Sequence, residues 1–214
     1  MGAIAAGVKG IDITDTPTGE SHSMSITAAQ HIKEVYRIPV ICHVRTRSQT
    51  EESVKSLARS ADVWDIDALL FVQGEGPRTS GLTPTECLEL VRHEGLLENS
   101  NTKLGVLVDP AKIAVTHKKL RRQPDFVYSV PLKSISEYES LKALLRGQKV
   151  TTYVSVMVPT PLNRAIFERI GMPQMPDISD VSALSNQVLR DGLHLCVISP
   201  ADLDGGLSFV KGLH

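Results

Sequence analysis

The chain is 214 residues long, 42% hydrophobic and 22% charged, the composition of an ordinary globular protein and far from the signature of disorder. Its 23 Lys and Arg are balanced by 24 Asp and Glu for a net charge of -1, which supplies no field to attract nucleic acid or an anionic membrane. No apolar run approaches the ~18 residues that span a bilayer, and the opening MGAIAAGVKG lacks both the n-region and h-region of a signal peptide and, with Ala6, the hydroxyl of a myristoylation site, so a cytoplasmic location is expected.

In chain order, GIDIT (10–14) is the first candidate strand and PVICHV (39–44) the second. TEESVKSLARSAD follows with helical period: Val54, Leu57, Ala58 and Ala61 share a face, and Glu51 and Glu52 sit in the first turn, where the helix dipole favours them. ALLFVQ (68–73) is the third strand. LTPTECLELV then places Pro84 at a first helical position, with Thr83 and Glu86 spaced as a capping box. LGVLV (104–108) precedes a helix expected to start at Pro110, just after Asp109. FVYSV (126–130) precedes SISEYESLKALLRG, which stacks Ile135, Tyr138, Leu141 and Leu145. TTYVSVMV (151–158) leads into a helix expected from Pro161 to Gly171 and a second ending at Gly192. LHLCVI (193–198) and a final helix weakened by Gly205 and Gly206 close the chain.

Seven short apolar runs without strict alternation are what parallel strands covered on both faces require. With helices between them and no linker or low-complexity break, the order predicts one domain over 1–214. That domain is expected to be a TIM-type (β/α)8-like barrel of seven recognisable βα units, its first strand missing or replaced. An open doubly wound sheet is the alternative. The glycines argue against nucleotide binding by such a sheet, because QGEGP holds only Gly74 and Gly76 and no Walker motif is present.

In a barrel the chemistry sits at the carboxyl ends of the strands. There the sequence places Thr14, Asp15 and Thr16; His43, Arg45 and Thr46; Gln73 and Glu75; Asp109; Ser129; Thr160; and Ser199. His43 stands out, since a histidine closing an apolar strand must find hydrogen-bond partners or lie wet at the mouth. Glu75 between two glycines is a candidate acid or electrostatic partner. No spacing suits a metal: His22 and His31 are nine apart, His117 stands among lysines, and no H-E-x-x-H occurs. No G-x-S-x-G supports a serine nucleophile. Cys42, Cys87 and Cys196 are too few and scattered for a disulfide framework, and Cys42 and Cys196 read as small core residues.

GIDITD followed by PVICHVRTRSQTEESVKSLARSADVWDIDALLFVQGEGP resembles the methylenetetrahydrofolate reductase family, in which a strand ending near Val-Thr-Asp, a strand closing on histidine, a helix and a strand entering Gly-Asp-x-Pro succeed one another. DFVYSVPL, VPTPLNRAIFERIGMPQMP and DGLHLCVIS are similar to later segments of that family, so the resemblance runs from about residue 8 to the end. It implies an FAD-linked (β/α)8 barrel that passes hydride from NAD(P)H through FAD to 5,10-methylenetetrahydrofolate. Thr14, His43, Arg45, Thr46, Gln73 and Glu75 would then line the flavin, with Glu75 also catalytic, and Ser129 would touch the folate. Arg45 and Arg47 would begin a loop facing a phosphate or carboxylate. Three departures accompany the resemblance: the family's first strand, which carries its general acid, has no counterpart in MGAIAAGVKG; Glu75 replaces Asp; and Ser129 replaces Gln. The alternative these departures raise is a non-catalytic or accessory homologue that binds folate or a protein, as a homo-oligomer or with a partner subunit supplying the missing strand.

Overall fold

Every one of the seven apolar runs forms a strand, within a residue or two of its expected bounds. The computed structural model describes residues 7–15, 25–74, 81–169 and 174–213. The elements are β1 (Ile11–Ile13), α1 (Ser25–Tyr36), β2 (Val40–Arg45), α2 (Glu51–Val63), β3 (Ala68–Val72), α3 (Pro84–His93), β4 (Lys103–Val108), α4 (Ile113–Leu120), β5 (Phe126–Ser129), α5 (Ile135–Leu145), β6 (Thr151–Met157), α6 (Arg164–Arg169), α7 (Ile178–Arg190), β7 (His194–Ile198) and α8 (Leu203–Lys211). The strands are parallel and hydrogen-bonded in chain order, β1 through β7. Without the reversal of strand order that defines a doubly wound sheet, the fold is of the TIM-type (β/α) barrel class with seven βα units. No described helix is long and apolar enough to cross a membrane.

The chain divides into two compact units, residues 9–107 with 117–127, and residues 1–8 with 108–116 and 128–214. In the first, α2 buries Val54, Leu57, Ala58 and Ala61 as its period requires, and Thr83 and Glu86 form the expected capping box at the start of α3. Here two aspartates do the same work. Asp67, just before β3, accepts a 2.8 Å bond from the N–H of Val40 at the start of β2 and a 2.7 Å bond from Lys33. Asp125, just before β5, accepts 2.7 Å from the N–H of Leu104 in β4 and 3.1 Å from Arg92. Each ties the beginning of one strand to the next and satisfies a buried amide that water would otherwise have to reach. Beside the second, the ring of Phe126 lies where a side chain on Gly105 would stand: a Cβ there would come within 2.2 Å of Cζ.

In the second unit, Tyr138 of α5 is fully buried and donates 2.8 Å to Asp191 beyond α7, which also pairs with Lys142 at 2.9 Å. Buried Asn163 donates 2.9 Å to the carbonyl of Val158 and accepts 3.0 Å from the N–H of Ala201, bracing the turn after β6 against the turn after β7. α8 forms despite its glycines, because Asp202 caps it by accepting from Gly205 N–H at 2.8 Å, and Gly206 lets it lie against Ser199. Two boundaries move. Asp109 bonds the N–H of Ala111 at 2.9 Å, and this turn delays α4 to Ile113. The helix expected from Pro161 begins as a short 3-10 turn, Pro161–Asn163, before α6.

Candidate functional site

The alternate residues of β2 have two environments. Val40, Cys42 and Val44 are fully buried, while Ile41, His43 and Arg45 on the other face are partly open. Parallel pleating thus places the imidazole and the first guanidinium on one face, Arg45 one step nearer the carboxyl end. Arg45 is the last residue of the strand, and the 3-10 turn Thr46–Ser48 starts the loop one residue later than expected.

The partner of His43 lies on β1. Asp12 is in register with Ile41, and its carboxylate reaches diagonally to His43, Oδ1 to Nε2 at 2.5 Å, with side-chain exposures of 14% and 11%. A contact this enclosed is largely withdrawn from bulk solvent. The next carboxylate along, Asp15, accepts 3.1 Å from the backbone N–H of Arg45 and ties the ends of the two strands. Ser25, the first residue of α1, donates 2.6 Å to the carbonyl of His43, and the Cys42 thiol approaches its hydroxyl at 3.3 Å.

Gly74, following β3 with φ +77°, lies beneath the Arg45 side chain, where a Cβ would come within 2.7 Å of its Cγ and Nε. Gly81 packs against the carbonyl of Arg47, which a Cβ would meet at 1.8 Å. The two arginines are half-buried, Thr46 is fully buried, and the Thr46 hydroxyl has no hydrogen-bond partner among the described residues. The first unit therefore gathers Asp12, Asp15, His43 and Arg45 at the carboxyl ends of β1 and β2, with half-buried Gln73 next to Gly74 after β3. Thr14 is exposed just beyond β1, and Glu75 lies outside the described residues.

Ser129 belongs to the other unit. Fully buried, it accepts 2.9 Å from the N–H of Ser155, whose hydroxyl donates 2.6 Å to the Ser129 carbonyl. Cys42 and Cys87 are fully buried, and burial pushes both thiols up to about 12. Cys196, expected in the core, is only half-buried and accepts a bond from the Tyr128 hydroxyl. Among the described residues, no three His, Cys, Asp and Glu side chains gather as a metal site.

Asp12 was not singled out from sequence. Its signal was there nonetheless: a carboxylate between the isoleucines of a three-residue strand, IDI, needs a partner.

No family model matches the chain, and no curated protein matches it. Solved structures do. A 2,3-dimethylmalate lyase of the PEP mutase/isocitrate lyase superfamily is similar at 11% identity with a TM-score of 0.65, over 96% of this chain and 72% of that one. An oxaloacetate acetylhydrolase in complex with its product oxalate gives 13% identity and 0.57, over 99% and 84%. The Amycolatopsis orientalis BexX/CysO complex gives 15% and 0.55, over 98% and 78%. At these identities the likeness is one of fold.

These findings correct the expectation of a methylenetetrahydrofolate reductase. The alternation of strand and helix that carried the resemblance is general to βα barrels, and the similar structures include a lyase and a hydrolase. FAD, NAD(P)H and reduction of a folate fall with it, because those assignments rested on the resemblance alone. The flavin-lining roles of Thr14, His43, Arg45, Thr46, Gln73 and Glu75 and the folate contact of Ser129 had the same basis.

Proposed function

We propose that the chain is an enzyme that moves a proton on a small carboxylate substrate, cleaving a C–C bond in the manner of a lyase or hydrolase, with His43 as general base. The observation that carries this reading is the enclosed Asp12–His43 contact at the carboxyl ends of adjacent parallel strands, where (β/α) barrels hold their chemistry. The Asp12 carboxylate, 2.5 Å from the ring, stabilises the imidazolium that forms when His43 takes a proton. In a lyase that proton comes from the substrate hydroxyl. Its O–H electron pair closes a new C=O, the adjacent C–C bond breaks, and the released pair is carried as an enolate. In a hydrolase the proton comes from water, whose oxygen adds to the carbonyl; as the C=O reforms to give one acid the adjacent C–C bond breaks, and the released enolate takes the proton back from the imidazolium to give the other product.

Arg45 has the role of anchor. A guanidinium offers paired N–H donors that match a carboxylate, and the Arg45 backbone is held by Asp15 while its stem crosses Gly74. That oxalate and 2,3-dimethylmalate appear in the names of similar structures supports small dicarboxylates as the first substrates to try. Cys42 and Cys87 buried as thiols and the lack of a membrane-length helix among the described residues support a cytoplasmic setting.

The test is turnover of a panel of 2-oxo and 2-hydroxy dicarboxylates, oxaloacetate and 2,3-dimethylmalate included, with product acids followed by chromatography. Cleavage that His43→Asn abolishes supports the reading. No turnover of any member, or turnover that survives His43→Asn, overturns it.

A further inference from the structure

Helix α2 packs inward through Val54, Leu57, Ala58 and Ala61 and turns its opposite face outward. Along that outer face run Glu52, Ser56, Arg59, Ser60 and Val63, which with Trp64 line a shallow groove of about 290 Å³. Their spacing is that of one stripe on a 3.6-residue helix. The stripe carries one negative and one positive charge seven residues apart, roughly 10 Å along the axis, too far to pair with each other. Glu52 is 85% exposed, and its nearest cation among the described residues, Lys55, stands 3.8 Å away and is held more closely by Glu94 at 3.2 Å. Exposed Arg59 has no ion pair among the described residues. Val63, at the end of the stripe, is 77% exposed.

We propose that this face of α2 docks against the same face of a second copy of the chain, the two helices antiparallel about a two-fold axis near Ser56. In an isologous contact residue i meets j while j meets i. An axis at this point sets Glu52 against Arg59 of the partner subunit and Arg59 against Glu52 of the partner subunit, with the small side chain of Ser56 at the centre, where the helices must approach to ~8–10 Å. The charge order selects the arrangement: a parallel pair would oppose Glu52 to Glu52 of the partner subunit, and only the antiparallel pair opposes unlike charges at both ends. Val63 and Trp64 then lie just ahead of the first turn of the other helix. One 13-residue helix from each copy falls short of the ~800 Å² per partner of a standard interface, so the association is weak and dependent on concentration.

Sedimentation velocity over a broad concentration series at low salt tests this, with circular dichroism reporting the fold of each variant. The wild type moves from monomer to dimer as concentration rises, and added salt reverses the shift. Glu52→Arg alone and Arg59→Glu alone remain monomeric, because each opposes like charges. An equimolar mixture of the two single variants dimerises, as does the double variant Glu52→Arg/Arg59→Glu, so a loss of association from misfolding is told apart from a loss of charge pairing. A wild type that is monomeric throughout overturns the proposal. So does dimerisation that both single reversals leave unchanged, which would place the contact on another face.

Discussion

Asp12 and His43 sit on neighbouring strands without being register partners: Asp12 lies opposite Ile41, and its carboxylate crosses to the imidazole two residues further along, at 2.5 Å. The diagonal matters because it sets an enclosed carboxylate directly against the imidazole. Asp12→Asn keeps the shape and removes the charge that stabilises an imidazolium. Turnover of a cleaved dicarboxylate is expected to fall by about 10²–10⁴, the usual contribution of general acid–base catalysis. The expected signature is a loss in kcat with KM little changed, read from initial rates; an Asp12→Asn variant with wild-type kcat would remove Asp12 from the chemistry.

Arg45 is expected to act on binding, and Gly74 through it. An alanine at 74 would be held at φ +77° and pressed against the Arg45 stem. The left-handed backbone alone costs about 1–2 kcal/mol, and the displaced guanidinium weakens the grip on a carboxylate. Gly74→Ala should lower the melting temperature and, by calorimetric titration with oxalate, weaken binding. Arg45→Lys, which keeps the charge and loses the paired donors, should weaken oxalate binding with little change in melting temperature.

At Gly105 the constraint is space. A methyl group there would overlap the Phe126 ring, and overpacking of this kind costs about 1–3 kcal/mol. Gly105→Ala is expected to shift the urea midpoint down with an unchanged slope. Phe126→Leu in the same chain should recover part of the loss, and failure of that rescue would show that the ring is not what limits position 105.

Acid should act through Asp191. The Lys142 ammonium first, then the Tyr138 hydroxyl, hold its carboxyl below the usual range. A carboxyl lowered by folding contributes stability that is full above its unfolded value and is lost as pH falls through its folded one. The melting temperature of Asp191→Asn should therefore lie below wild type at neutral pH and converge on it in acid. Tyr138→Phe, which removes a bond to a charged acceptor from a buried ring, should cost about 1.5–3 kcal/mol at neutral pH.

Thiol chemistry separates the three cysteines. Burial holds Cys42 and Cys87 as unreactive thiols, pushed up to about 12, whereas Cys196 is half-open. Labelling with a disulfide reagent at neutral pH should give one fast site, mapped by mass spectrometry to Cys196, with the other two appearing only on unfolding.

The amino-acid sequence by itself determined the strands, most of the helices and the fold class, because these follow from near-neighbour periodicity. Seven apolar runs had to be buried on both faces, and Thr83 with Glu86 had to start a helix. It also placed His43 and Arg45 near the carboxyl end of one strand, since that depends only on where β2 stops. What the tertiary structure alone decided is which side chains meet. Asp12 reaches His43 across 31 residues of chain, Gly74 makes room for Arg45, and Ser129 spends its hydroxyl on the backbone of Ser155. Such contacts depend on strand register and on the close approach of separate backbones, for which a single sequence carries no periodic signal. A family resemblance drawn from local motifs could therefore match the order of the elements and still assign the wrong chemistry.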